Sequence, residues 1–293
     1  MEHKTHNAVK RYIDKMPSLS VTVSKIMTLA NDPNASASDL NKIISLDPVL
    51  MGKVLRLVNS AYYGLNQKIT SLVRAIIMLG INTIKNLALS TAVLGTFQQG
   101  TEHSVLDMEG FWRHSLCVGV TSRLLAKKRK IDTKHIEEYF IAGLLHDIGK
   151  IPLANALAQP YSQAIRTADA DTMPLFISER DVIGTDHMEV GDMIAENWKL
   201  DNYIRDSIVR HHQPLEYEGT TPDILYTVCI ANYYANDMEI GFAGDRHPGL
   251  LPQEIFTKCN LSLDYLDSIE EEIRKEIEKA KVFLETAAQK EDV

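Results

Sequence analysis

The chain has 293 residues, 45% of them hydrophobic and 24% charged. That balance argues against a disordered or low-complexity polymer and leaves enough apolar side chains for a sizeable core. A net charge of −8 argues against non-specific nucleic-acid binding, which depends on surplus Lys and Arg against phosphates.

One local exception, Lys127-Lys128-Arg129-Lys130, reads better as the solvated end of a helix than as a binding patch. Three cysteines, Cys117, Cys229 and Cys259, are odd in number, widely spaced and form no CxxC. They suggest neither a disulfide framework nor a thiolate zinc site. The first residues, MEHKTHNAVKRYIDK, hold no apolar core of signal-peptide length. No apolar run reaches the roughly 18 residues of a membrane span. A cytoplasmic protein is expected, with neither membrane nor nucleic acid as partner.

Helical signals dominate in chain order. Ser38-Asp39 can start DLNKIISL, and Asp47 can cap a helix that has Pro48 in its first turn. Ser71 opens SLVRAIIMLG, where Leu72, Ala75, Ile76 and Leu79 recur at helical spacing and Gly80 suits a left-handed cap. Asn82 can cap the next helix, which is expected to stop at Gly95. Phe97 to Asp107, FQQGTEHSVLD, is polar and reads as a loop between two helical halves. The second half continues through helices to about Asp237. After the turn-rich GFAGDRHPGLLPQ, a charged helix is expected near residues 262 to 289. There Leu266, Ile269, Ile273, Ile277, Ala280 and Phe283 form one apolar stripe. Docking on the protein's own core explains this stripe better than a dimer seam, because it is short for a coiled coil. No strand is needed, so the expected class is all-α.

Five of the ten histidines stand in an ordered pattern with an aspartate. They are His114 in FWRHSLCVG, His146 with Asp147 in GLLHDIGK, His187 in TDHMEVGD, and His211 with His212 in IVRHHQP. Imidazole and carboxylate donors together suit first-row divalent metals, and gathering them from several helices is how helical metal proteins build sites. A lone HD dipeptide is usually chance, and a lone histidine on a helix is more often a core or surface residue. The ordered set carries more weight than any member.

GLLHDIGK with an upstream His and a downstream His and HH resembles the HD superfamily of metal-dependent phosphohydrolases, with spacing similar to the HD-GYP branch. In the first half, MPSLSVTVSKIMTLANDPNASASDLNKIISLDPVLMGKVLRLVNSAYYG followed by SLVRAIIMLGINTIKNLALS resembles the HDOD family of bacterial signalling proteins. Together the resemblances cover roughly residues 10 to 240. They imply a multi-helix HD-type bundle with a smaller N-terminal helical bundle packed against it. The expected division is an N-terminal subdomain over 10–98, a metal-site subdomain over 105–240, and a C-terminal loop and amphipathic helix over 241–293 docked on the core.

Two departures stand out. Where the superfamily has a further aspartate, ILYTVCIANYYAND places Asn232, which offers a neutral oxygen and holds a dication more weakly. Asp237 follows five residues later, about 140° around a continuous helix. After His212, QPLEYEGTTPDIL holds no GYP, which argues against cyclic di-GMP hydrolysis.

The resemblance implies one or two divalent ions, iron favoured, with manganese, nickel or zinc as alternatives. His114 and His146 would hold one ion, and His187, His211 and His212 the other. Asp147 would bridge them, so that a phosphate is oriented for in-line attack. Lys150 either reaches phosphate oxygens as a point charge or faces solvent at a helix end. Three functions follow: a signalling module that works by binding, a metal-dependent phosphohydrolase or phosphodiesterase, and a metal- or redox-sensing switch. The favoured expectation is signalling with a bound metal and little or no catalysis. Its protein partners are not legible, and its input would be another protein or a phosphorylated or nucleotide ligand.

Overall fold

In a computed structural model the described residues are 2–98 and 104–289, and they form α-helices joined by turns with no strand. The all-α expectation holds.

The first half comprises α1 (Glu2–Lys15), α2 (Val21–Ala30), α3 (Ala37–Ile44), α4 (Pro48–Val58), α5 (Leu72–Leu79) and α6 (Ile81–Gln98). Its starts follow capping chemistry. The Asp47 carboxylate accepts the Leu50 N–H at 2.9 Å, and Pro48 occupies the first turn. α3 begins slightly earlier than the sequence suggested. Ser36 is the cap, and Asp39 reaches back to the Ser36 N–H in a reciprocal capping box. Gly80 has a positive φ of 87° but an extended ψ of 159°, so it is not the expected helical cap. It turns the chain by 116° between α5 and α6. α6 therefore starts at Ile81 and Asn82 lies inside it. The helix runs through Gly95 to Gln98, because Val93, Leu94 and Phe97 on either side are buried and their packing outweighs one glycine's cost. Of the expected 97–107 loop, residues 99–103 lie outside the described residues.

The second half comprises α7 (Met108–Lys128), α8 (Ile136–Leu145), α9 (Lys150–Ala156), α10 (Ala158–Asp171), α11 (Leu175–Ile183), α12 (His187–Trp198), α13 (Asn202–Arg210) and α14 (Pro222–Asp237). α7 and α8 make its most extensive pairing, with α14 packed on both and α13 on α8 and α14. A Cβ on Gly143 would sit 2.9 Å from the Gly119 Cα, so the two helices approach more closely than side chains would allow. The basic run falls at the end of α7. There Lys127, Lys128 and Lys130 are exposed, while Arg129 turns in to pair with Asp223.

The C-terminal segment is α15 (Gln253–Cys259), α16 (Leu263–Ser268), α17 (Glu270–Ala280) and α18 (Val282–Ala288). The single helix expected near 262–289 is thus three short ones. The stripe is buried at Leu266, Ile273, Ile277, Ala280 and Phe283. Each break re-aims it, so that α17 covers α7 while α18 reaches α4 and α6 of the first half. Docking on the protein's own core is what the structure shows.

Candidate metal centre

The six chemistry-bearing side chains come from four helix-bearing segments that meet at one place. His114 lies on α7, near its first turns. His146 ends α8, and Asp147 follows it. His187 opens α12, His211 ends α13, and His212 follows. Helix ends converge here because two glycines permit it. A Cβ on Gly149 would fall 1.9 Å from the His187 carbonyl oxygen, and one on Gly191 would fall 2.3 Å from Ile208. With glycine at both positions, the turn after Asp147 lies directly against the first turn of α12.

The donors divide into two groups, His114, His146 and Asp147 in one, and His187, His211 and His212 in the other. Asp147 faces both. Its Oδ2 lies 3.3 Å from His146 Nε2 and 3.8 Å from His114 Nε2. Its Oδ1 lies 3.5 Å from both His187 Nε2 and His211 Nε2. Within the second group His187 Nε2 is 3.3 Å from His211 Nε2 and 3.1 Å from His212 Nε2.

Tautomers follow from the other ring nitrogens. His146 Nδ1 faces the Gly143 carbonyl at 2.7 Å, and His211 Nδ1 faces the carbonyls of Ser207 and Ile208 at 3.0 Å. His187 Nδ1 faces a Glu179 carboxylate oxygen at 2.6 Å. Each of these partners only accepts, so Nδ1 carries the proton and, in the neutral ring, Nε2 presents a lone pair. The lone pairs of His187 and His211 then point at one another across 3.3 Å and at Asp147 across 3.5 Å. Such contacts repel unless a cation, a proton or a metal ion, lies between them. His146 Nε2 and Asp147 Oδ1 are buried with no hydrogen-bond partner, a costly arrangement in a protein interior. Donors sharing an ion at about 2.1 Å stand roughly 3–3.5 Å apart. By donor type and spacing, and by tautomer at His146, His187 and His211, the residues present therefore fit a divalent transition metal.

Burial shapes the protonation. It pushes His114 down to about 3 and His211 down to about 4, and it also lowers His212. These rings stay neutral near pH 7, as ligands must. Burial opposes ionisation of Asp147 too, but His146 and Lys150 outweigh it and hold that carboxyl well below the ordinary range. For His187 the Glu179 carboxylate overcomes burial and raises the pKa.

Lys150 does not face solvent. Its side chain is 3% exposed, and Nζ sits 2.8 Å from Asp147 Oδ2. Asp147, Asp245 and Glu179 offset the burial that would otherwise neutralise it. Asn232 on α14 lies beside the first group, with Oδ1 3.0 Å from His114 Nε2, while Asp237 is exposed at the end of that helix.

Sequence reasoning passed over Glu179, which lies on α11, is fully buried, and also accepts the His187 backbone N–H at 2.8 Å. It passed over Asp245, Phe176, whose ring stacks on His212 at 4.6 Å, and Asp186. Only Asp186 had a readable signal. Immediately before a helical run it is a strong cap, and it accepts the Met188 and Glu189 N–H groups. Nothing local marks Glu179 or Asp245 as buried carboxylates.

Comparison with known proteins gives a concordant picture. An uncharacterised protein of Treponema pallidum (strain Nichols) is 26% identical over 224 residues, 75% of this chain. The chain matches only 42% of that relative's length. The crystal structure of an HDOD domain protein of unknown function from Geobacter sulfurreducens superposes with a TM-score of 0.74 at 23% identity, covering 95% of this chain and 98% of that one. A structure from Shewanella amazonensis SB2B, described as a candidate metal-dependent phosphohydrolase, superposes with a TM-score of 0.64 at 19% identity, covering 97% and 99%. At these identities the two structures speak for the fold. The HDOD domain itself matches residues 16–214, well over half of the chain, and with the fold and its order of helices this makes the chain a member of the HDOD domain family.

Proposed function

We propose that this chain is a signalling module in which a divalent transition metal, iron before manganese, nickel or zinc, is a structural and sensory element, with little or no hydrolysis. The observation that carries the reading is enclosure. His146 and His187 are fully buried and His114, Asp147 and His211 nearly so. The cavity that reaches His211, His212 and Asn232 has a volume of about 50 Å³, room for one or two waters, whereas sites for small organic ligands run to about 300 Å³ or more. His114, His146 and Asp147 would hold one ion and His187, His211 and His212 another, with Glu179 orienting His187. A bound ion of this kind can polarise a phosphoryl oxygen and acidify water. What this chain adds around it favours retention over turnover. Asn232 contributes no charge, and Lys150 is committed to Asp147 rather than free to meet a phosphate.

The competing reading, a di-metal phosphohydrolase, is favoured by the two-sided contact of Asp147 with both donor groups. The test is elemental analysis of the purified chain, followed by incubation of the metal-loaded protein with bis(p-nitrophenyl) phosphate and with cyclic di-GMP. Expected are bound metal that His146→Ala and Asp147→Ala each largely remove, and no metal-dependent product. Metal-dependent turnover abolished by Asp147→Ala would move the chain to the enzyme reading. Absence of metal after growth with all four ions supplied would refute both.

A further inference from the structure

A second, larger concavity lies away from the metal centre, where the two halves of the molecule meet. It is a cleft of about 570 Å³ between the α5–α6 corner and the α7–α8 corner, bordered by Gly80, Ile81, Asn82 and Thr83 on one side and by Arg123, Lys127, Lys134 and Glu137 on the other. Three properties of its walls point the same way.

First, the cleft opens on the N-terminus of α6. This helix is 18 residues long, so its first N–H groups carry the positive end of a full helix dipole. Because the chain bends by 116° at Gly80, α5 does not continue into α6 and supplies no helical acceptors for them. Among the described residues no backbone acceptor meets the N–H groups of Ile81, Asn82 or Thr83. Second, Thr83 is a polar side chain only 5% exposed that lines the cleft and makes no hydrogen bond among the described residues. Its hydroxyl is a donor or acceptor with nothing but the cleft to serve. Third, the lining holds three cations against one carboxylate, in a protein whose net charge is −8. Arg123 is buried and uses its Nε on Glu137 at 2.6 Å. Lys134 pairs loosely with exposed Asp132 at 3.3 Å. Lys127 makes no ion pair among the described residues. Beside this polar corner stand Met78, Leu79, Ile81 and Ile136, an apolar wall.

We infer that this cleft is a binding site for a phosphorylated small molecule. The phosphate sits on the α6 N-terminus between Thr83 and Lys127, and the organic part lies against Met78, Ile81 and Ile136. Free helix N–H groups, a hydroxyl and flexible ammonium groups are the donor set that recognises phosphate. The volume lies within the range of small-ligand sites, whereas the cavity at the metal centre does not. Because one wall belongs to each half, occupancy ties the first half to the helices that carry His114 and His146. The site does not depend on a metal being bound.

Isothermal titration of the metal-stripped 293-residue chain with pyrophosphate and with ADP tests it. Saturable binding of both is expected, tighter for ADP. Lys127→Glu should weaken it by about tenfold or more, since it replaces attraction by repulsion at contact range. Thr83→Val, which keeps shape and removes the hydroxyl, should weaken it severalfold. Lys127 is exposed and valine keeps the shape of the buried Thr83, and unchanged circular dichroism and melting temperature verify folding. No saturable binding at millimolar concentrations would overturn the proposal. So would equal affinity in wild type and Lys127→Glu, because binding would then lie elsewhere. Equal affinity for pyrophosphate and ADP would overturn the assignment of the apolar wall.

Discussion

Replacing Asn232 by aspartate puts a negative oxygen where a neutral one now lies 3.0 Å from His114 Nε2. On the proposed reading this variant binds a divalent ion at least about tenfold more tightly, one full charge at contact distance being worth more than about 1.4 kcal/mol even when screened. Competition with a chromogenic chelator measures it, and unchanged affinity would place Asn232 outside the ligand set.

The histidines make a second prediction. Burial holds His114 at about 3 and His211 at about 4 in the folded, metal-free chain, against about 6.5 when unfolded. Between those values the unfolded state binds more protons, so stability rises with pH. This contribution is complete above pH 6.5 and is lost as pH falls toward 4. His187 runs the other way, but its raised pKa gives stability that is complete below about 6.5 and lost only as pH rises above it, so it does not offset the loss between 6.5 and 4.5. Urea unfolding of the metal-free protein should therefore show a midpoint that drops between pH 7 and pH 4.5. A flat midpoint would mean these rings are not buried neutral.

At the scale of elements, the site is made by close approach of helix ends. Gly149 lies where a Cβ would meet the His187 carbonyl at 1.9 Å and the Gly191 nitrogen at 2.6 Å, both of them backbone atoms that cannot rotate away. Gly149→Ala must push α12 from the turn after Asp147, and overpacking of this kind costs about 1–3 kcal/mol or more. Both a lower melting temperature and weaker metal retention are expected. A variant as stable as wild type would show that α12 has slack that the packing does not suggest. Gly52, whose Cβ would meet nothing within 4 Å, is the matched control, and Gly52→Ala in α4 should be neutral or slightly stabilising.

For the whole molecule, one aromatic cluster joins three parts of the chain. The Tyr62 ring from the first half lies 5.6 Å from Phe140 of α8, and both contact Phe283 of α18, at 5.1 and 4.8 Å. Arg123 covers the Tyr62 ring at 4.2 Å while paired to Glu137. The hydrophobic core is correspondingly one continuous cluster running through both halves and the C-terminal helices. Phe283→Ala should cost about 3–5 kcal/mol. Because the residue contacts both halves, it should loosen them together, and hydrogen exchange should speed up in α4, α6 and α8 at once. Faster exchange confined to α18 would mean that the C-terminal segment is an appendage rather than a brace.

The sequence by itself determined what depends on neighbours a few residues away. Cap chemistry placed the start of α4 at Asp47, apolar spacing gave the all-helical class and the buried face of the C-terminal stripe, and the ordered His and Asp pattern gathered the side chains that the fold brings together. Where long-range packing competes with local preference, the sequence misled. Gly95 did not stop α6, because its neighbours are buried. The C-terminal stripe bends twice to follow two partners, and Lys150 went inside because an ionised aspartate was waiting there. Glu179 and Asp245 could be recognised only in three dimensions. A carboxylate becomes a buried ion-pair partner through the helices that close over it, and these come from distant parts of the chain. The same holds for the inter-half cleft. Thr83 and Lys127 lie on different helices, and only the bend at Gly80 and the packing of α6 against α8 set them on one wall-lined space.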